Sequence, residues 1–244
     1  MTDTTPRPAY YAAGPGRLRE WWTILHPPYT AWHLAYVVIG ASLAPSVHAG
    51  RLVASLVAFF AAVGVAAHAL DELHGRPLRT HIPTRTLEVA AAAGLLVAVG
   101  LGIAGITVVG WWLAPFVVAG PVLALGYNLE LFGGRIHTDL GFAVAWGAFP
   151  VLTAYVAQTD TIRLDAVVVA GAALLVSLAQ RALSTPARTL RRRTRAVSGR
   201  VELADGRTVA IDTDVLLAPL ERALRCCSWA MVTLAAGLLL VHAT

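Results

Sequence analysis

The chain is 244 residues long, 57% hydrophobic and only 14% charged, with a formal net charge of +5. Water-soluble domains carry about 25% charged residues, so an ordinary soluble enzyme is excluded, and apolar runs from end to end predict a single membrane-embedded helix bundle. The basic residues other than His are all Arg, placed at segment ends and in loops; this suits membrane orientation and offers no nucleic-acid surface.

Residues 1–16 are Pro-rich and read as a loosely attached tail, without the apolar core of a signal peptide. Residues 17–26 predict a short interfacial helix, because Trp21 and Trp22 beside Arg17 and Arg19 suit the headgroup zone. His26-Pro27-Pro28 ends it, closing a first unit over 1–29. About seven transmembrane helices are expected, near 30–47, 52–72, 87–109, 111–129, 138–158, 164–183 and 226–243. Pro115, Pro121 and Pro150 fall inside spans, where packed neighbours tolerate a kink.

The first six spans form a core over 30–183. A connection over 184–225 follows, with a hairpin signal at Asp205-Gly206 and an amphipathic helix over 214–225. The last span occupies 226–244; the adjacent Cys226 and Cys227 read as small apolar residues near its start. Arg residues crowd every second connection. Arg17 and Arg19, then Arg76, Arg79 and Arg85, then Arg135, then the run from Arg188 to Arg225 alternate with loops holding Arg51, no Arg, and Arg163. This predicts an N-in, C-out, multi-pass protein of the cell membrane with a cytoplasmic N-terminus.

The densest chemistry lies where the second span ends. His68, Asp71 and Glu72 are spaced i, i+3, i+4 and share one helix face, with Arg76 and Arg79 close behind. Ionisable groups at that depth are costly unless paired, hydrated or metal-bound. Two readings follow. The acids pair with Arg76 and Arg79 while His68 makes a bundle hydrogen bond, or the three groups form a metal or anion site.

The run DELHGRPLRTHIPTRTLEVAAAAGLL, beginning at Asp71, resembles the end of the second helix in the UbiA-type intramembrane prenyltransferases. That family carries N-D-x-x-D-x-x-x-D there, followed by Arg-Pro-Leu. Leu25-His26-Pro27 is similar to the start of the family's first helix. Gly126 to Leu131, with Tyr127 and Asn128, lies where the family has a Tyr-rich motif, and Asp139-Leu140-Gly141 through Trp146-Gly147 to Pro150 is similar to its fifth helix. The likeness spans roughly residues 25–185. It implies an enzyme that binds an isoprenyl diphosphate through Mg2+ held by carboxylates, with transfer or cyclisation of the allylic chain after diphosphate release.

This sequence also departs from that pattern. His68 stands at the first Asp place, Asp71 at the second and Gly75 at the third. The second acidic motif is replaced by Gln180 to Arg188, which holds no acid, and the chain has fewer spans than the family's usual nine. His68, Asp71 and Glu72, joined by Glu130, would suit Zn, Fe or Mn as well as Mg2+. Arg181, Arg188 and Arg191 could meet a diphosphate directly as guanidinium forks.

The expected catalytic set is therefore Asp71, Glu72 and His68. The expected binding set is Arg76, Arg79, Tyr127, Asn128, Arg181 and Arg188. Arg191-Arg192-Arg193 also suits a lipid-facing anchor, and His137 with Asp139 suits a helix cap. Three functions remain open: an isoprenyl-diphosphate enzyme, a transition-metal enzyme acting on a lipid, and a non-catalytic lipid-binding protein. The expected partners are the bilayer and an isoprenoid or other lipid substrate, with a homo-oligomer left open.

Overall fold

The computed structural model describes residues 8–242. Helix α1 (Arg17–Ile24) is followed by α2 (Pro27–Ser42), α3 (Ala49–Leu73), α4 (Thr84–Val109), α5 (Trp111–Asn128), α6 (Asp139–Thr159) and α7 (Leu164–Arg192). A two-stranded hairpin, β1 (Gly199–Glu202) and β2 (Thr208–Ile211), leads into α8 (Thr213–Val241). Six of these, α3 to α8, are long and apolar enough to cross a membrane. The chain is thus a multi-pass, all-α membrane bundle.

The expected seventh span is the exception. In place of 30–47 stands α2, which has 16 residues and stops at Ser42, short of the roughly 20 that span the hydrocarbon core. It begins with Pro27-Pro28, where a missing N–H costs nothing. It is buried nearly all round because α6 and α8 pack against it and α3 flanks it. Trp32 and Tyr36 are fully buried. Trp32 Nε1 donates to the Tyr36 hydroxyl at 2.9 Å, which contacts the Ala173 carbonyl at 3.2 Å on α7. By contrast α4 exposes Val89, Leu96, Ile103 and Val108, an outward apolar face that suits lipid.

Three other boundaries differ from expectation. The sixth span was expected to end at 183, yet α7 runs on to Arg192, because Pro186 sits inside a membrane helix whose neighbours accommodate it. The amphipathic segment 214–225 and the last span are one continuous helix, α8, capped by the Asp212 carboxylate accepting from Val215 N–H at 2.9 Å. The tail is also less loose than expected. Ala9 and Ala12 are buried, and the Tyr10, Tyr11 and Tyr29 rings pack edge to face. Residues 1–7 of that expected tail lie outside the described residues.

The hairpin pairs Gly199 with Ile211 and Glu202 with Thr208. Gly206 supplies the positive φ (83°) that its tight turn demands. The backbone N–H and then the guanidinium of Arg207 hold the exposed Asp205 carboxyl below its usual range.

Two helices change pitch. In α3 the stretch Phe60–Ala67 is π-helical, and in α6 so is Val144–Ala148. Such wide turns leave carbonyls without their usual partner and recur at functional sites. In the first, the Gly64 carbonyl accepts from His68 Nδ1 at 3.2 Å; in the second, the Trp146 carbonyl accepts from His33 Nδ1 at 2.9 Å. Val63 and Ala67 of the first stretch and Trp146 of the second line one cavity with the α3–α4 loop, His137 of the α5–α6 loop and the C-terminal end of α7, and these mark one end of the bundle. We call it the Arg-rich end.

Candidate functional site

At the Arg-rich end a cavity of about 660 Å³ opens between α2, α3, α5, α6, α7 and the segment around Tyr11. Its wall from α3 carries Val63, Ala67, His68 and Asp71, spaced so that one face turns inward. His68 donates from Nδ1 to Gly64, which leaves Nε2 as an acceptor. Its ring stacks on that of His26, centroids 4.3 Å apart and 11° from parallel. His26 sits in a left-handed conformation (φ 47°) just before α2, and its Nδ1 meets the Tyr11 hydroxyl at 2.9 Å. His26 Nε2 is buried and has no hydrogen-bond partner among the described residues. Burial, with His68, Arg192 and Arg188 nearby, holds the His26 imidazole well below its usual 6.5 and so neutral. Burial and the neighbouring Tyr29 push the Tyr11 phenol well above its usual range.

Asp71 lines the cavity and has no hydrogen bond or ion pair among the described residues. Arg188 and Arg192 lie within electrostatic range of it. Glu72, the next residue, points elsewhere and is fully buried. One of its carboxylate oxygens accepts from Leu78 N–H at 2.9 Å. The other accepts from Thr80 N–H at 2.9 Å and from the Thr80 hydroxyl at 2.8 Å. Glu72 thus ties down the α3–α4 loop, and the i, i+3, i+4 trio does not converge on one point. Glu130 is 3.9 Å from His74 on the exposed rim and does not line the cavity.

Neither acid pairs with Arg76 or Arg79 among the described residues. Arg76 reaches the cavity edge, but its guanidinium donates to the Ile82 carbonyl at 2.6 Å and the Thr84 hydroxyl at 2.8 Å. Arg79 stands exposed at the mouth. His81 turns away to Glu20 at 2.8 Å. Thr138, not His137 or Asp139, caps α6 by accepting from Gly141 N–H. Asp139 instead pairs with Arg181 at 2.8 Å.

The α5 and α7 walls hold the remaining expected residues. Tyr127 is buried and stacked by His137, whose Nδ1 donates to the Tyr127 carbonyl at 2.9 Å. Asn128 donates to the Ala124 carbonyl at 2.7 Å. Arg181 also lies 5.2 Å over the Phe142 ring. Among the described residues Arg188 makes one hydrogen bond, a long one of 3.4 Å to the Thr185 hydroxyl. Arg191 forms a bidentate pair with Glu221 on α8. Arg192 donates from Nε to the Pro8 carbonyl at 3.0 Å.

Sequence reasoning missed His33, Tyr11, Gln180 and the site role of Arg192, which all line the cavity. Only the helical spacing of 181, 188 and 192 could have flagged Arg192, since steps of seven and four residues keep one face.

A second, apolar groove of about 450 Å³ runs between α3, α4, α5 and α6, lined by residues such as Ala62, Ala98, Gly102 and Phe149. Val63 and Trp146 line both it and the polar cavity, so the two spaces adjoin at these side chains.

Mg2+ takes oxygen ligands in an octahedral shell, and carboxylates anchor it. Of the expected metal ligands, Glu72 is spent on the loop and Glu130 lies outside the cavity, which leaves Asp71 and His68. Among the described residues no group of three or more His, Cys, Asp or Glu is disposed to hold a metal ion. The residues present do not fit the expected metal centre.

No protein-family model, curated protein or solved structure matches this chain. The functional reading therefore rests on the site itself.

Proposed function

We propose that this chain is a membrane enzyme acting on an isoprenyl diphosphate or a related lipid. The observation that carries the reading is the junction at Val63 and Trp146, where an Arg-lined cavity meets an apolar groove. A ligand with a charged head and a long apolar chain has that shape. The head lies among Arg181, Arg188 and Arg192, and the chain runs alongside Val63 and Trp146 into the adjoining groove. The UbiA likeness of the sequence agrees with this choice of lipid. The Arg bias of the loops favours a cavity that opens toward the cytoplasm.

The chemistry is heterolysis of the allylic carbon–oxygen bond. The bond's electron pair leaves with the diphosphate, whose growing charge the guanidiniums stabilise. A nucleophilic acceptor, or an alkene of the same chain, then forms the new bond to the allylic carbon. The proton released goes to Asp71 or to His68 Nε2, two bases on the cavity wall that are unengaged among the described residues. Tyr127 and Trp146 present apolar faces that shield the cation from water.

The test is release of inorganic diphosphate from farnesyl diphosphate by the purified protein in lipid nanodiscs. Release is expected, with a drop of at least about a hundredfold in Asp71→Asn at unchanged thermal stability. Absence of release at every chain length tried, with lipid binding intact, would leave a non-catalytic lipid-binding protein.

A further inference from the structure

We infer that the cavity holds the phosphate-bearing head of its ligand by guanidiniums alone, without a divalent cation, with Arg188 at the centre and Arg181 and Arg192 beside it. This rests on the lipid-diphosphate reading above and specifies how the head is held. Residues 181, 188 and 192 fall on one face of α7, two turns and then one turn apart. All three line the cavity.

Their hydrogen bonds position them without using them up. Among the described residues, Arg181 engages only Nε, with Asp139, and Arg192 only Nε, with the Pro8 carbonyl. Arg188 makes a single long contact to Thr185 and no ion pair among the described residues. The Nη groups of Arg181 and Arg192 and most of the Arg188 fork are free to donate, which is the geometry that meets phosphate oxygens two at a time. Fixing the stems beforehand reduces the ordering cost on binding.

Charge points the same way. Arg181 and Arg192 each lie within electrostatic range of Arg188, and the three face a space whose one carboxylate unpaired among the described residues is Asp71. Like charges crowded beside an apolar wall repel, and a multivalent anion relieves them. A divalent cation would instead be repelled, and it would find one carboxylate where it needs several oxygens. His26 Nε2, buried and without a partner among the described residues, adds a polar atom at the same cavity.

The experiment titrates inorganic pyrophosphate, and separately farnesyl diphosphate, into the full chain in nanodiscs of neutral phosphatidylcholine. Each titration is run once with excess Mg2+ and once with a chelator. Both ligands are expected to bind, with affinities that agree within about threefold between the two conditions. Affinity should weaken as salt rises, and Arg188→Gln should weaken it by about tenfold or more. Arg188→Lys keeps the charge and loses the fork, and an intermediate loss at unchanged melting temperature separates binding from folding.

Binding that vanishes with chelator and returns with Mg2+ overturns the inference and leaves the lipid reading standing. Binding of pyrophosphate but not farnesyl diphosphate keeps the guanidinium site and removes the lipid reading. Failure of both ligands in both conditions removes both. Arg188→Gln that binds as the parent does overturns the central place given to that residue.

Discussion

Glu72 and Asp71 are neighbours in sequence with opposite roles, and the difference lies in hydrogen bonding. Glu72 is sealed from solvent and accepts three hydrogen bonds from the loop that follows α3. A buried carboxylate without those donors would be strongly unfavourable, and so would the donors without it. Glu72→Ala strands two backbone N–H groups and a hydroxyl, so it should cost about 3 kcal/mol or more of stability. Thermal unfolding in detergent reads this as a clear fall in melting temperature. Glu130→Ala, at an exposed rim position with one 3.9 Å contact, should leave it unchanged. Equal effects of the two substitutions would show that the loop is held by something other than Glu72. Spacing identified the polar trio at 68, 71 and 72 but did not separate these roles, because the donors that claim Glu72 come from Leu78 and Thr80, in a loop that spacing on α3 does not describe.

At the scale of elements, the bundle depends on helices that approach closely where a side chain is missing. A Cβ on Gly40 of α2 would collide with the Val151 carbonyl on α6. One on Gly147 would come within 2.7 Å of the Ala173 carbonyl on α7. Small residues at such crossings are how membrane helices gain packing contact. Gly40→Ala should therefore lower the melting temperature by several degrees, in keeping with an overpacking cost of about 1–3 kcal/mol. Gly100→Ala on α4 meets open space and should be neutral or mildly stabilising. A melting curve for Gly40→Ala that overlays the parent would mean that α2 and α6 can part without penalty.

Six of the seven expected spans were legible from apolar runs of sufficient length, as was the hairpin from Asp205-Gly206. The π-helical stretches were not. Each of Phe60–Ala67 and Val144–Ala148 holds one glycine, Gly64 and Gly147, which weakens a helix without specifying a wider turn, and in these stretches the Gly64 and Trp146 carbonyls meet His68 and His33.

For the whole molecule, the two cavities make a prediction that neither makes alone. If the apolar groove takes the chain of the lipid, filling it should discriminate by chain length. Ala98 lines that groove and not the polar cavity. Ala98→Trp should weaken binding of long-chain isoprenyl diphosphates by about tenfold, while leaving inorganic pyrophosphate within about twofold of the parent. Competition binding across chain lengths measures this. An equal loss for all ligands would mean that the groove does not serve the head site.

Composition and periodicity by themselves determined that the chain is a helical membrane protein, where most helices begin, and that basic residues gather at one end, because burying backbone in lipid leaves little freedom. Tertiary structure alone decided the rest. It showed α2 as a short, enclosed helix, gave Glu72 to the loop and left Asp71 open. It also brought His26 from before α2 onto His68 of α3 and set Val63 and Trp146 as a shared wall. Those outcomes depend on which groups meet in space, and contacts at irregular sequence separations leave no period in a sequence to be read.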